Sequence, residues 1–154
     1  MGVRCSILKT ICTMKCVEPL CGCFLSEDEV PWDKSGSALT KRWFTSRLRS
    51  TKTIPNDCKV ATLTLTKFGV GEGMFSTMFR AVLTYEIGGQ EVENEGCPTV
   101  IIVKMTPPGV GARVLGGVMG AFRNEVCFYT DGASKMIPAP SCYYAAHGPH
   151  GRCV

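Results

Sequence analysis

The amino-acid sequence predicts an α+β fold, with the element order helix, three strands, helix and strand. Two kinds of pattern support this prediction. Apolar residues recur at helical spacing in two stretches of the chain, and in four shorter stretches they alternate with polar residues or run together. Glycine and proline residues separate several of these stretches, as turns require. We therefore expect an antiparallel sheet with a helix that covers it.

The first helix and the first two strands follow directly from these patterns. The buried side of the helix is predicted from apolar residues at helical spacing, namely Leu39, Trp43, Phe44 and Leu48. Residues 60–68 alternate Thr with Leu, and residues 76–86 place apolar side chains at every second position. Alternation of this kind is typical of strands with one buried face.

The remaining elements are predicted from residue 87 onward. Residues 87–98 are polar and glycine-rich, which indicates a long hairpin connection. Residues 99–105 contain a continuous β-branched run, which predicts a strand that is buried on both faces. A second helix is predicted over residues 112–130, although glycines weaken its start. Residues 136–146, which contain prolines near their start, are predicted to form the last strand.

The N-terminal region has a different composition from the rest of the chain. We expect residues 1–38 to form a cysteine-rich, poorly ordered extension and residues 39–154 to form the folded domain. Lys9 and Lys15 interrupt the apolar centre that a secretory signal needs, so we expect a cytoplasmic protein with reduced thiols. A zinc site among the N-terminal cysteines stays open as an alternative, but neither a Cys-x-x-Cys pair nor a nearby histidine supports it.

The first six residues match a short acylation pattern. Met1-Gly2-Val3-Arg4-Cys5-Ser6 fits the M-G-x-x-x-[ST] sequence, in which the glycine is myristoylated. Cys5 would supply a second, reversible acyl chain, and two chains are what stable anchoring requires. Peripheral membrane association through Gly2 and Cys5 is one interpretation of this region. A transit peptide is the other, because no acidic residue precedes Glu18.

Composition and charge exclude several classes of protein. The chain has 17 Lys and Arg against 13 Asp and Glu, and this small excess does not indicate nucleic-acid binding. No apolar run reaches the roughly 18 residues that a membrane-spanning helix needs. Residues 41–67 are rich in Lys and Arg, and such a stretch attracts phosphates. A solvated helix face followed by a loop is the more common explanation of a charge run.

A glycine-rich segment lies between the first two predicted strands. Gly69, Gly71 and Gly73 alternate with larger residues, and Ser76 begins the next strand. Glycines let the backbone approach a ligand and turn its N–H groups toward phosphate oxygens. A dinucleotide-binding fold is excluded, because Met74 stands where its third glycine would be and a strand follows instead of a helix. A plain hairpin turn is the alternative.

Two charged residues lie in unusually apolar surroundings. Lys104 ends the most apolar predicted strand, and Glu125 is the charged member of an apolar arc on the helix predicted over 112–130. A carboxylate that points into a core needs a cationic partner, and Lys104 is the candidate. The alternative for Lys104 is a side chain that extends to the surface at a strand end.

A glycine-rich hairpin, a strand lysine and a helix glutamate, in this order, make up the upper half of a kinase-like ATP site. The sequence resembles the N-terminal lobe of the CHK kinase-like group, which includes the ecdysteroid kinase-like proteins and belongs to the aminoglycoside phosphotransferase and choline kinase superfamily. The resemblance covers about residues 39–146. The matching stretches are Phe68-Gly-Val-Gly-Glu-Gly-Met-Phe-Ser76, Phe79-Arg-Ala-Val-Leu-Thr-Tyr-Glu86, Val100-Ile-Ile-Val-Lys104, Asn124-Glu-Val-Cys-Phe-Tyr129 and Ile137-Pro-Ala-Pro-Ser-Cys-Tyr-Tyr144.

The resemblance implies a kinase-like N-terminal lobe that binds ATP and Mg²⁺ and an activity that phosphorylates a small-molecule alcohol, with no nucleic-acid partner. It assigns Lys104 to the α- and β-phosphates of ATP and Glu125 to holding that lysine in place. It assigns the phosphate-binding loop to Gly69, Gly71, Gly73 and Ser76.

The catalytic half of the family pattern has no counterpart in this sequence. The family's catalytic loop carries His-Gly-Asp, with an Asn and a metal-binding Asp further along, whereas His147-Gly148-Pro149-His150 contains no Asp. We therefore assign no catalytic and no metal-binding residue. The expectation is a lobe without its C-terminal partner lobe, truncated at the start of a fifth strand. As a fragment it is expected to be inactive and to bind Mg-ATP weakly or not at all.

Two other interpretations stay open. In the first, the domain is a degenerate, non-catalytic interaction module, and acylation at Gly2 and Cys5 would anchor it to a membrane. In the second it is an α+β domain in which the glycine-rich segment and the Lys–Glu pair have no present role.

Overall fold

The computed structural model describes residues 36–69, 76–92, 96–106 and 109–146, and all structural statements below concern these residues. They form three α-helices, four strands and one short 3-10 helix. In chain order the elements are α1 (Lys41–Ser50), β1 (Cys58–Phe68), β2 (Thr77–Ile87), β3 (Gln90–Val92), β4 (Val100–Met105), α2 (Val110–Val118), α3 (Ala121–Thr130) and the 3-10 helix (Ala133–Lys135).

The four strands form one antiparallel sheet with β2 inside it. β1 pairs with β2 along its whole length, from Cys58 opposite Ile87 to Phe68 opposite Met78. On the other side of β2, β4 pairs with the first half of the strand and β3 pairs with its end. β3 and β4 therefore lie one after the other along the same side of β2. The predicted α+β fold with an antiparallel sheet is confirmed.

The main core lies between α1 and one face of the sheet. The predicted apolar stripe on α1 is confirmed, since Trp43, Phe44 and Leu48 are buried. Their sheet partners include Phe79, which is 2% exposed, and Leu83. Thr40 begins the helix as its N-cap, because its hydroxyl accepts a hydrogen bond from the Trp43 N–H at 3.1 Å. α1 is thus the helix that covers the sheet.

Tyr85 closes one end of this core. Its ring is buried on β2, and its hydroxyl donates a hydrogen bond to the Pro98 carbonyl oxygen at 2.6 Å. Burial raises the pKa of the Tyr85 hydroxyl well above its usual value, and the nearby thiols of Cys97 and Cys58 act in the same direction. The folded state therefore favours the protonated form of the Tyr85 hydroxyl.

The loss of folding stability at alkaline pH should depend on Tyr85. Above about pH 10 the unfolded chain loses the tyrosine proton while the folded chain keeps it, so the free energy of unfolding should fall as pH rises. Tyr85→Phe should remove most of this slope and should lower the free energy of unfolding at pH 7 by about 1 kcal/mol, since Pro98 loses its donor. Urea unfolding between pH 7 and pH 11, followed by Trp fluorescence, measures both effects. Tyr129→Phe is the control. If the free energy of unfolding fell equally with pH in the wild-type chain and in both variants, the assignment of this effect to Tyr85 would be contradicted.

β4 is buried on one face, so the prediction that it is buried on both faces was wrong. Val103 and Met105 contribute to the core, whereas Val100 is exposed and Ile102 is 54% exposed. The reason is the position of β4 in the sheet. α1 covers the face that carries the odd-numbered residues, and among the described residues no helix covers the other face to a similar extent.

β4 also has an open edge. The Leu83 N–H donates to the Thr99 carbonyl at 2.8 Å, and hydrogen-bonded pairs alternate along an antiparallel ladder. The N–H and C=O groups of Val100, Ile102 and Lys104 therefore point away from β2. Within the described ranges no other strand pairs with this edge.

The connection predicted over residues 87–98 contains a strand that the prediction missed. Gly88 and Gly89 have positive φ angles of 60° and 87°, the backbone conformation that a two-residue hairpin turn requires. This turn brings Gln90–Val92 back along the end of β2 as β3. The polar sequence of the segment concealed the strand, because β3 lies at the sheet edge and is largely exposed.

The single helix predicted over residues 112–130 is two helices. α2 ends before Gly120, whose φ of 67° breaks the helical path, and α3 begins at the next residue. The apolar arc drawn on one continuous helix is therefore not a buried face, and Val114 and Val118 on α2 are exposed. Phe122 of α3 packs closely on α2, since a Cβ atom added at Gly116 would lie 2.5 Å from its ring.

Residues 136–146 do not form the predicted last strand. They run without regular secondary structure across the side of α1. Tyr144 makes an edge-to-face contact with Trp43, with 5.8 Å between ring centroids, and its ring lies 5.4 Å from the Arg47 guanidinium carbon. Aromatic packing rather than strand pairing fixes this segment, which explains why strand-like sequence did not become a strand.

Several predictions lie outside the described residues. Of the extension predicted over residues 1–38, residues 1–35 lie outside, and with them the acylation pattern at Gly2 and Cys5. The segment His147-Gly148-Pro149-His150 also lies outside. None of the helices in the described ranges is long and apolar enough to cross a membrane.

Candidate functional site

The structure brings Lys104 and Glu125 together. Lys104 is carried by β4 and Glu125 by α3, and the Lys104 Nζ lies 2.6 Å from Glu125 Oε1. The side chains are 45% and 39% exposed, respectively. The expectation that the Glu125 carboxylate points into a core was wrong, because the helix break places α3 beside the sheet edge. The partner that the sequence indicated is nevertheless the one that Glu125 contacts.

Such a half-exposed ion pair contributes little to stability, on the order of 0–1 kcal/mol. An ammonium group has three N–H donors, of which Glu125 takes one in this geometry. The carboxylate fixes the direction of the lysine side chain while leaving donors for a second, anionic ligand. The pair is thus better suited to orienting Lys104 than to holding the fold together.

The strand register places the two described ends of the glycine-rich segment, Gly69 and Ser76, at the same end of the sheet as Lys104. Met78 on β2 lies opposite Phe68 of β1 on one side and opposite Lys104 of β4 on the other. Residues directly opposite each other in an antiparallel pair are about 5 Å apart between Cα atoms. The loop between β1 and β2 therefore begins and ends within two strand spacings of the lysine backbone.

The two ends of this loop are described, and its middle is not. Gly69 has a φ of 66°, and a Cβ atom added there would lie 2.6 Å from the Met78 methyl group, so a larger residue would be strained. Ser76 lines the same cavity as Lys104 and Glu125. Gly71 and Gly73 lie outside the described residues.

That cavity has a volume of about 460 Å³ and lies between α1, the open edge of β4 and α3. Ligand-binding cavities in proteins commonly measure about 300–1,000 Å³ and are mainly apolar. Six consecutive residues of β4, Val100–Met105, line the cavity. The cavity therefore lies against the backbone at the edge of β4 as well as against its side chains. The other lining residues include six aromatic side chains, namely Trp43, Phe44, Phe122, Tyr129, Tyr143 and Tyr144.

The sequence interpretation identified the charged pair but missed this aromatic wall. Trp43 and Tyr144 meet although they are about a hundred residues apart in the chain, and no periodic pattern records such a contact. The available signal was the density of aromatic residues near the two ends of the domain.

The residues at this site suit an anionic phosphate group better than they suit a metal ion by themselves. Lys104 offers N–H donors, and the one carboxylate beside it, Glu125, already accepts from the lysine. In the described part of the chain, no group of three or more His, Cys, Asp or Glu side chains is arranged to hold a metal ion. We therefore assign no metal ligand to these residues.

Comparison with known proteins gives no relative from which to transfer a function. No protein-family model matches the chain, and neither the curated proteins nor the solved structures contain a significant match.

Proposed function

We propose that the folded part of this chain is the nucleotide-binding lobe of an ATP-dependent kinase that phosphorylates a hydroxyl group of a small molecule. The observation that carries the proposal is the 2.6 Å contact between Lys104 on a strand and Glu125 on a helix. Lys104 would contact the α- and β-phosphates of ATP, and Glu125 would hold its side chain in place.

The position of the glycine-rich loop supports the same proposal. In a kinase-like site this loop covers the phosphates, so it has to lie at the same end of the sheet as the lysine. The row Phe68, Met78 and Lys104 across three strands meets this requirement. Gly69, Gly71, Gly73 and Ser76 would present the loop to the phosphates.

The proposed role of this lobe is binding rather than phosphoryl transfer. ATP would be held with Mg²⁺, which neutralises charge on the phosphates, but the metal ligands and the catalytic base are assigned to no residue of this chain. The acceptor is a small-molecule alcohol of unspecified structure, and the proposed compartment is the cytoplasm.

Lys104 should be the lysine that a reactive ATP analogue labels selectively. An acyl phosphate of ATP transfers its acyl group to an amine beside the phosphates and captures weakly held nucleotide through a covalent bond. Mass spectrometry of the digested chain should find the acyl group on Lys104, and excess Mg-ATP should suppress that labelling at least tenfold. Lys104→Arg should remove the adduct, and Glu125→Gln should lower labelling because the lysine is no longer held.

Lys59 provides a matched control. It is also a strand lysine with a glutamate partner, since its Nζ lies 2.9 Å from Glu86 Oε1, but it lies toward the other end of the sheet. Its labelling should be slow and insensitive to Mg-ATP. Equal labelling of the two lysines, with no protection of Lys104 by Mg-ATP, would refute the proposed function. The free energy of unfolding should change by less than about 1 kcal/mol in Glu125→Gln, which separates a binding defect from unfolding.

A second function, a non-catalytic interaction module, is favoured by one observation. α2 carries exposed apolar residues along its length, and these are Val110, Val114, Leu115 and Val118, followed by Met119 at its C-cap. An exposed apolar surface of this kind commonly marks a binding surface. Acylation at Gly2 and Cys5 would anchor such a module to a membrane. In this case a discrete partner should be retained by the wild-type chain and lost from Val118→Asp, while Lys104 shows no protection by Mg-ATP.

A further inference from the structure

The open edge of β4 offers a row of backbone groups to an extended chain. Val100, Ile102 and Lys104 turn their N–H and C=O groups away from β2, and within the described ranges no other strand pairs with them. The cavity of about 460 Å³ lies along this same edge. An extended polypeptide can satisfy such a row of donors and acceptors, because its own N–H and C=O groups have the same spacing.

We propose that residues 28–33 of this chain bind the edge of β4 as an added, parallel strand. This segment, Asp28-Glu-Val-Pro-Trp-Asp33, precedes the first described residue, Gly36. In the proposed register Pro31 lies opposite Ile102. The proposal concerns the strand edge and does not depend on nucleotide binding.

The position of Gly36 determines the direction of the added strand. A Cβ atom added at Gly36 would lie 2.9 Å from the ring of Phe79, which is on β2 near the end of the sheet that carries Lys104. An added strand lies two strand spacings, or roughly 10 Å, from β2. The three residues from Asp33 to Gly36 also span about 10 Å, so Asp33 has to lie at the Lys104 end of the edge. A parallel strand ends there, whereas an antiparallel strand ends beside Val100.

The proline of the segment fits this parallel arrangement. Of two residues that lie opposite each other in a parallel pair, only one turns its N–H and C=O groups toward the other strand. Ile102 does so from β4, so the residue opposite it points these groups away and needs no N–H donor. Pro31, which has no N–H group, is tolerated at that position on an edge strand. Its ring would also cover part of Ile102, which is 54% exposed.

The apolar side chains of the segment match the cavity. Since successive side chains of a strand point to opposite faces, Val30 and Trp32 would lie on the face of the sheet that α1 covers. Val103 contributes to the core on that face, and aromatic side chains line the cavity beside it. Val30 and Trp32 would therefore bury apolar surface against this lining.

The charges of the segment and the cavity are complementary. Residues 27–33 carry four acidic side chains and no basic one. Lys104 and Arg47 line the cavity, together with the acidic Glu125. Asp33 would lie opposite Lys104, whose ammonium group has donors beyond the one that Glu125 takes. A second copy of β4 would instead bring like charges together, so charge favours the segment as the occupant.

The connection from the added strand to β1 would have the usual hand. The two strands would be parallel, and α1, which lies between them in the chain, covers one face of the sheet. In a strand of L-residues that points up, residues that face the viewer turn their N–H and C=O groups to the right. Seen from the α1 side, the order from left to right is therefore added strand, β4, β2 and β1. A connection that moves to the right in front of the sheet is right-handed, as about 98% of such crossovers are.

Hydrogen exchange of single amides in the full chain, followed by NMR, tests the proposal. The Ile102 and Lys104 amides point to the open edge, so they exchange as exposed amides unless a strand is added, whereas the Val103 amide is held by β2. We expect Ile102 and Lys104 to exchange at least about tenfold more slowly in the wild-type chain than in Val30→Pro. This substitution removes an N–H group that would donate to β4.

Pro31→Ala is the matched control, and it should keep the slow exchange because the N–H group of residue 31 points away from β4. Equal protection of the Val103 amide in all three chains shows that the sheet is folded. Fast exchange of Ile102 and Lys104 in the wild-type chain would overturn the proposal, and so would slow exchange that Val30→Pro leaves unchanged. Protection that disappears when the chain is diluted would assign the edge to a second copy instead and would also overturn it.

Discussion

Phe79→Ala is expected to lower the free energy of unfolding by about 3–5 kcal/mol, the range for truncating a buried phenylalanine. Phe79 lies near the start of β2 on its core face, is 2% exposed, and belongs to the core that the sheet forms with α1. The truncation removes apolar contacts and leaves a cavity that neighbouring strands cannot close. Since small domains have only about 5–15 kcal/mol of stability, the variant should be close to unfolded at 37 °C.

Val82→Ala is the matched control for this variant. Val82 lies on the same strand but on the opposite face, and it is 40% exposed. Its truncation should cost less than about 1 kcal/mol. Urea unfolding followed by circular dichroism gives both values. A similar loss in the two variants would mean that the core does not lie between α1 and this face of the sheet.

Phe122→Ala is expected to release α3 from the rest of the domain. Phe122 is 4% exposed and is the buried residue of α3. Its ring packs against Gly116 of α2, and the pair of Lys104 and Glu125, which joins α3 to β4, is half-exposed and too weak to hold the helix by itself. A loss of about 3 kcal/mol in local stability corresponds to a fall of roughly 100-fold in amide protection.

Native-state hydrogen exchange distinguishes this local effect from global unfolding. Amides of Ala121–Thr130 should exchange roughly 100-fold faster in Phe122→Ala, while those of β1 and β2 should change much less. Arg123→Ala, at an exposed residue of the same helix, should leave protection nearly unchanged. An equal acceleration in β2 would show instead that α3 and the sheet unfold as one unit.

The elements predicted best are those whose sequence pattern reflects a single covered face. α1 and β2 bury every third or fourth and every second residue, respectively, against each other, so helical spacing and alternation were sufficient. β4 was misjudged because a run of β-branched residues shows that a strand is apolar but not which of its faces is covered. Its position at the sheet edge depends on β2, which no local pattern in β4 records.

The errors in the second half of the chain have a similar cause. Gly120 has a left-handed conformation and separates α2 from α3. Glycine permits this conformation but does not require it, so the sequence did not indicate the break. Residues 136–146 pack through Tyr144 onto Trp43, so a contact distant in sequence replaced the predicted strand.

The candidate site was predictable only in part. The sequence predicted a pair of Lys104 and Glu125, because opposite charges in apolar stretches need partners. The two side chains are in contact in the structure. The burial assigned to Glu125 was wrong because it assumed one continuous helix. The aromatic wall of the cavity arises from packing between distant segments, and the spacing of residues along the chain does not encode it.

The open edge of β4 gives Lys104 a second physical consequence. Unpaired N–H and C=O groups on an apolar strand are a template for other extended chains, which is how folded proteins start to aggregate. Lys104 is the charged residue of the strand Val100–Met105, and lysine on an edge strand is a common protection against such pairing. Two β4 edges that met around this position would bring like charges together. The residue that we assign to nucleotide phosphates is thus also the residue that keeps this strand soluble.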